Sequence, residues 1–114
     1  MKIAVLHEPL AQKDLKDWGA PEQMLDGNSH TQGVLLHKGE GGASECGYWE
    51  CTPGHWRCEV TRDEFCHFLE GEASYESDDG EVTDIRPDTA AFFPAGWKGH
   101  CRVTKTLKKV YMIR

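Results

Sequence analysis

The chain has no basic cluster, and this absence argues against one class of partner. Its 114 residues carry a formal net charge of −6, and an acidic protein repels a phosphate backbone. The stretch from Lys105 to Lys109 holds only three lysines, and we interpret it, like the acidic pair Asp78 and Asp79, as solvated surface. Nucleic acid is therefore not an expected partner.

Long apolar runs and closely spaced cysteines are also missing. The opening segment is apolar only over residues 3–6, which is too short for a signal-peptide core or a membrane span. We therefore expect a cytoplasmic protein without membrane contact. Thiols stay reduced in that compartment. The five cysteines include no Cys-x-x-Cys pair and are expected to be small buried apolar residues rather than disulfides or a zinc knuckle.

Short apolar segments with frequent turns are what the sequence does contain. From about residue 33 onward, turn signals recur about every 8 to 12 residues, a spacing typical of an all-β sandwich or barrel. The Asp79-Gly80 pair is the strongest hairpin signal. The predicted strands cover residues 34–37, 48–52, 56–60, 64–69, 73–76, 82–85, 89–93, 101–104 and 110–113.

The chain length fits one domain. Residues 1–32 lack regular alternation and are predicted to form an N-terminal arm or edge strand. Residues 33–114 are predicted to form the barrel.

Two segments resemble the paired motifs of the cupin superfamily. The first, Glu64-x6-Gly71, opens an apolar strand with a carboxylate and ends at a glycine. The second contains Pro94-x-Gly96 and continues through Trp97 to Gly99. The resemblance implies a double-stranded β-helix, the jelly-roll barrel of cupins. The likeness is greatest to small cupins of the ureidoglycine-aminohydrolase-like group.

The residues that would hold a metal in such a cupin are mostly replaced. The paired histidines of the first motif fall on Arg57 and Glu59, and the histidine of the second falls on Gly99, with His100 one place later. A guanidinium keeps its positive charge and cannot coordinate a cation. His100 would turn inward only if a bulge shifted the strand by one residue.

Arg57, Glu59 and Glu64 are predicted to converge in one pocket if their strands are neighbours. Three interpretations of this cluster stay open: a structural ion pair, a metal-free polar pocket in which Arg57 binds a carboxylate or ureido group, and a weakened site for Mn, Fe, Ni or Zn using Glu59, Glu64 and His100.

The resulting functional hypothesis is a small cytosolic cupin that binds, and hydrolyses if it is an enzyme, a small polar metabolite bearing a carboxylate or ureido group. Glu59 or Glu64 would act as general base, and Arg57, Trp49 and Trp97 would bind the substrate. The alternatives are a non-catalytic accessory or ligand-binding cupin and a metal-dependent enzyme catalysing oxidation or isomerisation. The small barrel is expected to cover its sheet edges by forming a homodimer.

Overall fold

The computed structural model describes residues 1–114 and is built almost entirely of β-strands. Two short 3-10 turns, Pro9–Ala11 and Glu40–Gly42, are its only helical segments. No helix has the length and apolar character needed to cross a membrane. The strands are β1 (Lys16–Gly19), β2 (Met24–Asp26), β3 (Thr31–Lys38), β4 (Glu45–Cys51), β5 (Gly54–Glu59), β6 (Glu64–Ser77), β7 (Val82–Ile85), β8 (Thr89–Phe93) and β9 (Lys98–Ile113).

All nine strands join one curled antiparallel sheet that closes as a jelly-roll β-barrel. The long strands β6 and β9 pair with each other and run through both walls of the barrel. In one wall, β5 pairs with the first half of β9, and β7 pairs with the second half of β6. In the other wall, β4 pairs with the second half of β9, and β8 pairs with the first half of β6. The predicted cupin-type all-β fold is thus confirmed.

Two pairs of predicted strands are merged in the structure. Residues 64–69 and 73–76 belong to the single strand β6, and residues 101–104 and 110–113 belong to β9. The break predicted in β6 is a bend, with register shifts between Phe68 and Ala73. Gly71 has a φ of 103°, and a Cβ there would clash with the carbonyl oxygen of Thr106. The motif glycine therefore lets β6 turn the barrel corner without ending.

The segment predicted as an arm or edge strand supplies two short strands. β1 pairs with β3, and β2 pairs with β5, so they occupy the two ends of the strand order β1-β3-β4-β9-β5-β2. Residues 1–6 have no strand or helix assignment, and Met1, Ile3 and Val5 are exposed.

The core fills the inside of the barrel. Alternating residues of β6 and β9 supply Cys66, Phe68, Tyr75, Cys101 and Leu107, each at most 3% exposed. Side chains one position out of phase with these face the outside of the barrel. This alternation decides which of the predicted site residues reach the interior.

Candidate functional site

A cavity of about 730 Å³ opens into the barrel, a size typical of pockets for small molecules. The residues of β1 and the following loop that border it include Trp18 and Gln23. Its aromatic walls are contributed by Trp49, Trp56, Tyr75, Phe93 and Tyr111. Among its polar residues, Glu64 and Lys109 belong to the two long strands that form the centre of the barrel.

Glu64 and Lys109 form an ion pair inside this cavity. The Lys109 ammonium donates to Oε2 of Glu64 over 2.6 Å. The Lys109 side chain is 10% exposed, and the Glu64 side chain is 16% exposed. Glu64 shares the inward face of β6 with Cys66 and Phe68, and Lys109 is directly opposite Phe68 in the β6–β9 register. The pair is therefore held by two adjacent strands.

The ring of Trp49 also contacts the Lys109 ammonium. The distance from Nζ to the Trp49 ring centroid is 4.4 Å, and the distance to the Phe68 centroid is 5.6 Å. Burial acts to lower the pKa of Lys109, but the attraction and hydrogen bond to Glu64, together with the electrostatic influence of Cys66 and Cys58, outweigh it, so the pKa of Lys109 is raised. Lys109 is accordingly a permanent cation at neutral pH.

Two thiols lie near this ion pair and remain protonated. Burial raises the pKa of Cys58 to about 11, and it raises the pKa of Cys66 to about 11 as well. Both thiols interact electrostatically with Lys109 and Glu64. A protonated thiol is a poor nucleophile and a poor metal ligand, so Cys58, which lines the cavity, and Cys66, which lies in the core, are both unreactive.

Arg57, Glu59 and Glu64 all border this cavity, but they do not form one cluster, because Arg57 pairs with Asp78 and Glu59 whereas Glu64 pairs with Lys109. β9 lies between β5 and β6, so the two strands that carry these residues are not neighbours. Trp56 and Cys58 take the inward positions of β5, which places Arg57 and Glu59 on the outer face although they border the cavity. The cation that faces Glu64 is Lys109.

Arg57 is bound to partners on the outside of the barrel. Its guanidinium donates to both carboxylate oxygens of Asp78, over 2.5 and 2.7 Å. Its Nε lies 3.7 Å from Glu59. The bidentate geometry predicted for a substrate is thus occupied by a side chain of the protein.

Of the other two predicted substrate-binding residues, Trp49 lines the cavity and Trp97 does not. Trp49 borders the cavity beneath Lys109. Trp97 is not among the residues that line it, and it packs at the core against Tyr75 and Phe93, with centroid distances of 6.1 Å to each.

The predicted metal ligands Glu59, Glu64 and His100 are not brought together. The register of β9 is continuous at Gly99 and His100 on both sides, so the bulge that would turn His100 inward is absent. His100 lies on the outer face, 2.8 Å from His55 and 3.5 Å from Glu76. No group of three or more His, Cys, Asp or Glu side chains could hold a metal ion.

A family comparison agrees with this barrel. The profile of the EutQ-like cupin domain matches residues 38–111, which is more than half of the chain. The chain belongs to the EutQ-like cupin domain family. None of the curated proteins matches it.

Solved structures show the same fold at low sequence identity. A protein of unknown function from Pseudomonas syringae pv. tomato is 16% identical with a TM-score of 0.80, over 90% of this chain and 45% of its own. The EutQ protein of Clostridium difficile is 19% identical with a TM-score of 0.64, over 75% of this chain and 68% of its own. A putative ethanolamine utilization protein from Salmonella typhimurium is 17% identical with a TM-score of 0.65, over 83% of this chain and 76% of its own.

This EutQ-like cupin domain spans about half the length of the Pseudomonas protein. Identities below 20% support the shared fold and nothing finer.

The residues present in this EutQ-like cupin domain do not fit the metal that many cupins hold. The metal-ligand positions of the cupin motifs are occupied here by Arg57, Glu59, Glu64 and Gly99. Only Glu64 has a side chain that both could coordinate a metal and faces the interior of the barrel. Gly99 has no side chain, and a Cβ there would lie 2.6 Å from the Trp97 ring. The lysine ammonium already bound to Glu64 repels a second cation.

Sequence reasoning missed Lys109, because it assigned the whole Lys105–Lys109 stretch to solvated surface. Lys105 is indeed exposed, with a side chain 73% accessible, whereas Lys109 is buried. The available signal was alternation, since Lys109 is in phase with Leu107 and Tyr111. A lysine in phase with apolar residues on a barrel strand faces the interior.

Proposed function

We propose that this EutQ-like cupin domain binds a small polar metabolite bearing a carboxylate or ureido group in the barrel cavity. The observation that carries the proposal is the Lys109–Glu64 pair at the wall of a cavity with aromatic sides. Ligand sites commonly combine apolar walls with a few placed polar groups. Here the buried pair supplies a positively charged hydrogen-bond donor, Lys109, and a negatively charged hydrogen-bond acceptor, Glu64.

The two ends of a ureido acid match these two groups. A ligand carboxylate accepts hydrogen bonds from the Lys109 ammonium, and ureido N–H groups donate to Glu64. The Trp49 ring, which already contacts Lys109, offers a flat face to a planar ureido group. The aminohydrolase-like resemblance of the sequence points to the same class of ligand.

Turnover of such a ligand would use Glu64 as the general base. Glu59 is the other carboxylate predicted for this role, but its side chain is 46% exposed and lies beside Arg57 on the outer face. Binding without chemistry, as in an accessory or sensor protein, is the alternative. Release of ammonia from a bound ureido acid separates the two, because only hydrolysis produces it.

Binding is tested by calorimetry with N-carbamoylglycine as the probe. We expect saturable binding to the wild-type protein and at least about a tenfold loss of affinity in Lys109→Met, since a charge-assisted hydrogen bond is removed. Lys105→Met is the matched control, because Lys105 forms an ion pair of the same 2.6 Å length with Glu72 on the exposed surface. Equal affinity in the Lys109 and Lys105 variants, or no binding to the wild type, would contradict the proposal.

A further inference from the structure

We propose that the Lys109 ammonium is the resident cation of this barrel, held against Glu64 where the motif carboxylate of a metal-binding cupin would hold its metal ion. Glu64 is the residue that matches the first motif, and the ammonium lies 2.6 Å from its carboxylate. This role goes beyond the proposed ligand binding and does not depend on it.

The placement of the other motif positions supports this role. The positions that fall on the paired histidines carry Arg57 and Glu59, which lie on the outer face of β5 at the border of the cavity and pair with each other rather than with Glu64. Gly99 leaves its inward position without a ligand atom, next to the Trp97 ring. Glu64 therefore has no partner ligand with which to share a metal ion, while it has a permanent charge partner in Lys109.

Charge balance inside the barrel points the same way. Glu64 and Lys109 are one negative and one positive charge in mutual contact and largely withdrawn from water. Such a pair is neutral as a whole, and a divalent ion that took Glu64 from it would leave the Lys109 ammonium uncompensated, beside a second cation, in a medium that screens poorly. The nearby thiols Cys58 and Cys66 supply no compensating negative charge, because burial keeps them protonated.

Trp49 gives the ammonium a second fixed partner. The ammonium lies 4.4 Å from the ring centroid, within the range of a cation–π interaction. Because the cation is tethered to β9 through its own side chain, a chelator cannot remove it. A ligand in the pocket would then meet the hydrogen-bond donors of the Lys109 ammonium, where in a metal site it would meet the open coordination position of the metal ion.

The first test measures metal binding by the wild-type protein. In equilibrium dialysis against Mn²⁺, Ni²⁺ or Zn²⁺, we expect no ion to bind at Glu64 in a ratio near one per chain. We also expect EDTA to leave the melting temperature of the wild-type protein unchanged. A bound ion near one per chain, lost in Glu64→Gln, would overturn the proposal. This measurement needs no ligand and no lysine variant.

The second test replaces the tethered cation with a free one. Lys109→Ala removes the part of the side chain that n-propylammonium reproduces. We expect this variant to melt roughly 10–20 °C lower than the wild type. Saturating n-propylammonium chloride should restore about 5 °C or more, whereas sodium chloride of equal ionic strength should not.

Two controls make the rescue specific. Lys105→Ala should lose little stability and should show no response to n-propylammonium, since its ion pair is exposed. Lys109→Ala/Glu64→Gln should also show no response, because the carboxylate is gone. Folded Lys109→Ala that is not rescued, or a double variant rescued equally well, would contradict the proposal. If Lys109→Ala does not fold, the wild-type metal measurement decides.

Discussion

Lys109 donates to Glu64 across the β6–β9 pair, and the two charged side chains are largely buried within the barrel. Removal of either partner of a buried ion pair leaves the other charge without compensation, whereas removal of both does not. The free energy of unfolding of single and double variants therefore measures whether the two charges are coupled.

A double-mutant cycle with Glu64→Leu, Lys109→Met and the double variant measures that signature. Each single substitution should lower the free energy of unfolding by about 3–5 kcal/mol, and the double should lower it by clearly less than the sum. Urea denaturation provides the values. The exposed Lys105–Glu72 pair is the matched control, for which a coupling of about 0–1 kcal/mol is expected. Additive losses at Glu64 and Lys109 would show that the pair is not coupled.

Thiol reactivity tests the environment assigned to the cysteines. Cys51, Cys66 and Cys101 are buried, and burial raises the pKa of the half-buried Cys58 to about 11. Cys46 is the remaining thiol, and it is partly exposed on β4. Because the thiolate is the reactive form, an aromatic disulfide reagent near pH 8 should label Cys46 first.

The rapid labelling phase should correspond to about one thiol per chain. Cys46→Ser should remove it and leave slow labelling limited by opening of the barrel. A rapid phase that persists in this variant would show that an interior thiol is reactive.

The contact between His55 and His100 predicts acid sensitivity. Their ring nitrogens are 2.8 Å apart, and desolvation, followed by Arg102 and His100, lowers the pKa of His55. The folded state therefore binds fewer protons than the unfolded state in the pH range between the lowered pKa and the ordinary value of about 6.5. Stability should rise with pH through this range and fall as the pH drops through it.

Urea denaturation near pH 7.5 and near pH 5 measures this contribution. Other groups also titrate in this interval, so the comparison is between the wild type and His55→Asn. The variant should lose less stability on acidification. An equal loss in both proteins would show that His55 does not contribute.

The homodimer expected from the sequence stays a prediction, and the structure suggests which face to test. Phe92, Phe65 and Met112 are opposed in register on β8, β6 and β9, and they are 60%, 57% and 49% exposed. The outer face of the opposite wall instead carries polar residues such as Arg57 and His100. A contiguous exposed apolar row is characteristic of an interaction surface.

Light scattering coupled to size exclusion tests this face. We expect the wild type to be dimeric and Phe65→Ser to shift toward the monomer. Val82→Ser is the control, since Val82 is similarly exposed at 53% but lies on β7. A monomeric wild type, or an unaltered dimer in Phe65→Ser, would exclude this interface.

The fold could be predicted from particular residues because its signals are local. Glu64 to Gly71 and Pro94 to Gly96 combine strand alternation with turn residues, and the strands 82–85 and 89–93 match β7 and β8. The merging of the segments in β6 could not be predicted in the same way. A glycine with positive φ either ends a strand or bends it, and which occurs depends on pairing with a distant strand.

The candidate site was less predictable than the fold. Alternation placed Glu64 on the face of Cys66 and Phe68, as the structure shows. It did not reveal that β9 separates β5 from β6, and this order of strands sends Arg57 to Asp78 rather than to Glu64. The partner of Glu64 is 45 residues away in sequence. Strand order and long-range register are tertiary properties that no local pattern specifies.

The most direct measurement of the central claim is NMR titration of the Lys109 side chain, assigned by comparison with Lys109→Met. The account predicts that Lys109 stays an ammonium beyond its ordinary pKa of 10.5, because the attraction and hydrogen bond to Glu64, together with the influence of Cys66 and Cys58, outweigh the cost of burial. It also predicts that Glu64→Gln lowers this pKa while Lys105→Met leaves it unchanged. A Lys109 side chain that loses its proton near neutral pH in the wild type would contradict the resident cation.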